Sequence, residues 1–181
     1  MNYELIRDAV RIALCACFGL QPDSDEALAF IRRSYEEPEV IPQPARTTDV
    51  IYWDVSTDYG SDPVSYGSAV SQAAGSSFPS VERFLPCQLV VVCYGPSCAA
   101  HAEQIRSLIY VDGANQPRSI LRKAGIYPVP DPAPVELLYE PEGSLWRRRA
   151  DVRIPFRTVC SVTSPAAVRT IQTAPVIIVR H

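Results

Sequence analysis

Three patterns predict an α+β fold: a mostly antiparallel mixed sheet, helices packed on one face and a long β-hairpin near the C-terminus. The first is the stretch from Ser144 to Arg157. Val152, Ile154 and Phe156, continued by Cys160 and Val162, alternate there with Arg149, Asp151, Arg153 and Arg157. Successive strand side chains point to opposite faces, so this strand has one dry face and one guanidinium-rich face. The second is the apolar run Leu89-Val90-Val91-Val92-Cys93, which reads as a buried strand. The third is the expected element order, α-α-β-β-α-α-β-β-β. Strands that follow strands directly favour antiparallel pairing with the helices set to one side.

Asn2 can cap a first helix over 3–18, with Leu5, Ile6, Ala9, Ile12 and Ala13 at helical spacing and Gly19 as its stop. Asp23, with Glu26 three residues on, forms a capping-box-like start to a short helix reaching Ser34. Its apolar stripe is Ala27, Leu28, Phe30 and Ile31. Prolines make 37–46 a stiff, extended connector. The β-branched and aromatic residues Val50, Ile51, Tyr52, Trp53 and Val55 predict a strand over 47–57. The serine- and glycine-containing stretch 58–80 is expected to be a long polar loop. A strand over 81–94 follows, then a turn at Gly95-Pro96-Ser97. Ser97 is expected to cap a helix running to 110 that buries Cys98, Ala102, Ile105 and Ile109. A short helix over 117–124 stops at Gly125. A strand over 135–139 turns through Glu140-Pro141-Glu142-Gly143 into the long strand, 146–162, and a last strand occupies 175–179. The long strand would span about 50 Å at roughly 3.3 Å per residue. That exceeds what a small core requires, so part of it is expected to project or bend.

A chain of 181 residues fits one domain over 1–181. Its net charge of −3 argues against general electrostatic binding to DNA and leaves room only for a local basic patch. No apolar run approaches the roughly 18–20 residues of a membrane span. Acidic residues come early and no apolar region follows a basic start, so no signal peptide is expected. The expectation is a soluble protein made in a cytoplasm. The six cysteines, at 15, 17, 87, 93, 98 and 160, form no Cys-x-x-Cys pair. They read as buried free thiols acting as small hydrophobes, with a disulfide or a metal site as the alternatives.

Candidate chemistry is sparse. Cys98 and His101 lie three apart on one helix, a spacing suited to two metal ligands, but a structural site needs about four. The other histidine is His181. Cys98 at a helix start could also be a nucleophile with a lowered thiol pKa. A small enzyme or ligand-binding module using Cys98 and His101 is therefore the competing class. Asp54, Asp58 and Asp62 lack the ligand order of a calcium loop. Ser76, Ser77 and Ser80 lack a nucleophile-elbow glycine pattern, and Gly60 and Gly67 make no phosphate cradle. No catalytic residue, metal or cofactor is assigned. The arginines at 147, 148, 149, 153 and 157 leave three readings open. They could form a solvated strand face, contact DNA through its backbone, or make bidentate ion pairs with a neighbouring subunit. Trp146, Arg147, Arg149, Arg153 and Arg157 are the candidate interface residues, because Trp and Arg dominate binding hot spots. Arg149→Glu is expected to leave a folded subunit while weakening assembly.

The segment 85–165 resembles the neck and tail terminator family of long-tailed phages. The likeness rests on the strand leading to Gly95, the helix with Ala102 and Ile105-Arg106, and Leu121-Arg122-Lys123-Ala124-Gly125-Ile126. It rests above all on Trp146, Arg149 and Ala150, which match an aromatic-x-x-Arg-Ala turn feeding an alternating strand. The first half agrees in outline, through a leading helix, the connector Ile41-Pro42-Gln43-Pro44 and a strand. The resemblance implies a structural virion protein in a homo-oligomeric ring, usually six-fold, at the head-proximal end of the tail. Such a ring ends tube growth and meets the tail tube protein on one side and the head-tail connector on the other. It is assembled in the host cytoplasm, with genomic DNA passing through its lumen. Another tail completion or minor tail protein is the nearest alternative.

Overall fold

The computed structural model describes residues 3–34, 44–57, 66–73, 76–130 and 132–163. Within them the order is α1 (Tyr3–Cys17), α2 (Asp25–Phe30), β1 (Ile31–Arg33), β2 (Val50–Thr57), β3 (Tyr66–Ala73), β4 (Ser76–Tyr94), α3 (Cys98–Leu108), α4 (Pro117–Lys123), β5 (Ile126–Pro128), β6 (Glu136–Glu142) and β7 (Leu145–Thr163). These strands form one mixed sheet with the path β1-β2-β4-β7-β5; β3 pairs with β4 and β6 with β7. The fold is α+β, with the long C-terminal hairpin made by β6 and β7. Every pairing is antiparallel except β1 with β2.

Two strands of 19 residues, β4 and β7, form the spine of the sheet. At roughly 3.3 Å per residue each is about 60 Å long. Their register sets Leu89 against Ile154, Val91 against Val152 and Cys93 against Ala150. On the other side of β4, Ile51, Trp53 and Val55 complete the same rows. All these side chains are buried, and they form one cluster with Val10 and Leu14 of α1, Ala102 and Ile105 of α3 and Leu121 of α4. The helices therefore shield one face. The opposite face carries Tyr52, Tyr94 and Arg149, half-buried, and Arg153 and Arg157, exposed. Beyond the row of Leu85 and Thr158, the backbone of β4 and β7 continues as a ribbon with β3.

Two of the prolines in the spine, Pro86 and Pro155, fall where a neighbouring strand is interrupted. The Pro155 carbonyl accepts from the Val129 N–H at 2.8 Å, so this residue's backbone groups point away from β4. Its missing donor falls between the pairing of β6, which ends at Asp151, and that of β5, which begins at Phe156. Pro86 lies opposite Arg157, two residues on, and so points the other way. There it meets the break between β3, paired to Arg83, and β2, paired from Cys87. No ladder hydrogen bond is lost at either position, which is how proline can occupy a central strand.

Several elements depart from expectation. The second helix stops at Phe30 rather than reaching Ser34, because Ile31–Arg33 pair in parallel with Ile51–Trp53. Its cap is Ser24, whose hydroxyl accepts from the Ala27 N–H at 3.1 Å, not Asp23. On α1 the buried stripe is Ile6, Ala9, Val10, Ala13, Leu14 and Cys17, while Leu5 and Ile12 are exposed. The stretch 58–80, expected as a loop, contains β3 and the start of β4. The hairpin turn is tighter than expected, with Gly143 and Ser144 alone between Glu142 and Leu145 and Gly143 at φ +64. Ser97 makes no side-chain cap on α3; its own N–H donates instead to Asp49 Oδ1 at 2.9 Å. The short β5 was not foreseen. Asn2, residues 37–43 of the expected connector and the strand expected at 175–179 lie outside the described residues.

Candidate functional site

Strand β6 alternates like any strand: its helix-side face is apolar, while its other face carries Leu138 among Glu136, Glu140 and Glu142. Leu137 and Tyr139 share the helix-side face with Trp146, while Leu138 and Leu145 point to the other. All five are exposed, Trp146 at 68% and Tyr139 at 66%. Among the described strands β6 pairs only with β7, so its outer backbone edge is open as well. Isolated surface apolar residues are ordinary, whereas the continuous row of Leu137, Tyr139 and Trp146 beside an open edge marks a contact surface.

Behind the hairpin, the polar sheet face forms a cavity of about 320 Å³ lined by Tyr52, Tyr94, Glu140, Glu142, Arg147 and Arg149, among others. The register brings these groups together. Arg147 lies opposite Glu140 across β6 and β7, and Arg149 opposite Tyr94 across β7 and β4. Arg149 donates twice to Asp151, Nε to Oδ1 at 2.6 Å and Nη2 to Oδ2 at 2.7 Å, and lies 3.6 Å from Glu140. This hydrogen bonding to Asp151 raises the Arg149 pKa further. The Tyr94 hydroxyl donates to Glu140 at 2.6 Å. Burial first, and that bond second, push the phenol pKa up to about 12. Arg46 reaches from the chain before β2 to bind the Glu142 carboxylate at 2.8 Å. Arg147 stacks on the Tyr94 ring, with its guanidinium carbon 4.4 Å from the centroid.

The five candidate interface residues thus occupy three environments. Trp146 stands on the exposed hairpin, and Arg147 and Arg149 are drawn into the cavity wall. Arg153 and Arg157 remain exposed on the polar face. Tyr94, Glu140 and Asp151 belong to the same cluster and were not singled out from sequence. A tyrosine ending an apolar run carries no signal until the register sets it against Arg149.

Cys98 and His101 do not form a reactive pair among the described residues. Cys98 is fully buried, and that burial pushes its thiol pKa up, the opposite of what a nucleophile needs. His101 packs edge-on against Phe18 and Phe30, with centroids 5.5 and 5.2 Å away. No group of three or more His, Cys, Asp or Glu side chains among the described residues is placed to share a metal ion. Cys15, Cys17, Cys87, Cys93 and Cys98 are all free and buried. Alkylation of native protein, followed by peptide mapping, should therefore modify these five slowly and without preference. One thiol reacting far faster than the rest would revive the enzyme reading.

A shielded sheet face, an open polar face and an uncovered apolar hairpin define an α+β protein whose distinctive chemistry lies in its surfaces. The chain matches the family model described as phage neck terminator protein over residues 3–180, and it belongs to that family. It is accordingly a structural component of the phage tail or neck, and so of the virion. No curated protein matches it. Among the described residues no helix is long and apolar enough to cross a membrane.

Proposed function

We propose that copies of this chain close into a ring, six-fold in the usual arrangement of the family, at the head-proximal end of the tail. The ring stops addition of tail tube subunits and joins the tail to the head-tail connector. The observation that carries this reading is the β6–β7 hairpin, with five large apolar side chains uncovered beside an open strand edge. A head-to-tail contact between such a surface and a different surface of the next copy closes a ring when its rotation divides the circle, and a closed ring leaves no end for growth. The exposed Arg153 and Arg157 suit weak, sliding contacts with the backbone of DNA passing through the lumen.

Negative-stain imaging of tail tubes polymerised with and without the protein tests this. Tubes of limited length bearing an annulus at one end are expected. Tubes equally long and bare in both samples overturn it. Trp146 gives a residue-level check. Its side chain is 68% exposed, so Trp146→Ala should change subunit stability by only about 0.5 kcal/mol or less. Assembly should weaken by about 2 kcal/mol or more, roughly 30-fold. Chemical denaturation of dilute protein and sedimentation velocity measure the two separately.

A further inference from the structure

Charges around the hairpin cavity are matched with one exception. Arg149 is held by Asp151 and Arg46 by Glu142, while Glu140 accepts from Tyr94 and lies near Arg149. Arg147 has no such partner among the described residues. It is only 7% exposed, and its buried Nε and Nη2 atoms make no hydrogen bond there. Stacking on Tyr94 offsets part of the cost, but a ring face offers no acceptor to the guanidinium edge. A buried cation in this state favours an incoming anion strongly, because the desolvation cost has already been met during folding.

We propose that the Arg147 cavity is a binding site for a single carboxylate supplied by a second copy of this chain. This rests on the ring reading above and gives it a specific contact. The cavity, about 320 Å³ and walled by Glu140 and Glu142 as well as by Arg147 and Arg149, suits one carboxylate side chain rather than a strand of phosphodiesters. The chain also carries a matching surface. Asp23, Asp25 and Glu26 stand exposed at the start of α2, beside Leu28, which is 52% exposed. That corner pairs acid with apolar surface, as the cavity and the adjoining hairpin pair base with apolar surface. Two different patches that complement each other make the head-to-tail contact a ring requires.

Arg147→Met keeps most of the stem and removes the charge. Sedimentation velocity over a concentration series, with thermal unfolding of dilute protein, distinguishes the outcomes. Self-association of the variant should be at least about tenfold weaker than wild type. Its dilute-state melting temperature should be unchanged or higher, because an unmatched buried cation is gone. Replacing chloride by acetate at constant ionic strength should weaken association of wild type and leave the variant unaffected. If the variant associates as tightly as wild type, the neighbour does not use this cavity, although the ring reading survives. If the variant melts lower when dilute and associates normally, the anion comes from the same chain and the proposal fails. If short duplex DNA binds through Arg147 while association is unaffected, the occupant is nucleic acid and the proposal again fails. A wild-type chain that stays monomeric at every concentration and leaves tubes bare overturns both readings.

Discussion

Gly95→Ala is expected to destabilise the subunit by about 3–5 kcal/mol, measured as a shift in the denaturation midpoint at unchanged slope. Gly95 has φ +106, a conformation that costs an L-residue roughly 1–3 kcal/mol. A Cβ there would also stand 2.3 Å from Asp49 Oδ1, 2.7 Å from Asp49 Cα and 2.8 Å from the Thr48 carbonyl oxygen. The last two are backbone atoms and cannot swing aside. The collision adds a cost of the kind seen on overpacking, about 1–3 kcal/mol. It also pushes on the carboxylate that accepts the Ser97 N–H at the start of α3, so a helix end is loosened together with the turn. A loss below about 1 kcal/mol would mean that this turn is not constrained as described.

Arg149→Glu should be almost as damaging, at about 3–5 kcal/mol, through loss of a half-buried ion pair. Asp151 is only 5% exposed, and its two oxygens accept from Arg149. The substitution strips those bonds and places a third carboxylate beside Asp151 and Glu140. Arg149→Gln, which adds no charge, should cost less, and urea denaturation of the two variants side by side gives the difference. Sequence alone led to the opposite expectation, a folded subunit with weakened assembly. It differs because Arg149 already has an acidic partner within its own chain. Loss of assembly in this variant would therefore follow from loss of fold, and Arg147→Met and Trp146→Ala are the cleaner probes of contact. A variant as stable as wild type would show that the Arg149–Asp151 pair contributes little to folding.

The elements that were legible in the sequence are those whose signal is local. The 3.6-residue spacing of Cys98, Ala102, Ile105 and Ile109 identified α3 and its buried side correctly, since that periodicity belongs to the helix itself. The two-residue alternation from Val152 to Phe156 likewise identified the dry face of β7. Strands β1 and β3 escaped notice for a shared reason. Ile31-Arg32-Arg33 continues a helix-like stripe, and Tyr66–Ala73 is rich in serine and small residues. Each is a strand because a neighbour supplies its hydrogen bonds: β2 for the first, the far half of β4 for the second. Strand propensity depends on such context far more than helix propensity does.

The arginines draw the same line more sharply. By itself the sequence determined that one strand would carry a guanidinium-rich face back to back with an apolar face, because side-chain alternation is a property of the extended backbone. It could not rank Arg147, Arg149, Arg153 and Arg157, which look alike along the chain. Only the tertiary structure decided that Arg149 meets Asp151, that Arg147 is stacked and enclosed without an acceptor among the described residues, and that Arg153 and Arg157 stay in water. Those fates follow from the register of β7 against β4 and β6, which brings Tyr94 and Glu140 alongside. Register is set by long-range pairing, and long-range pairing is what a local pattern does not encode.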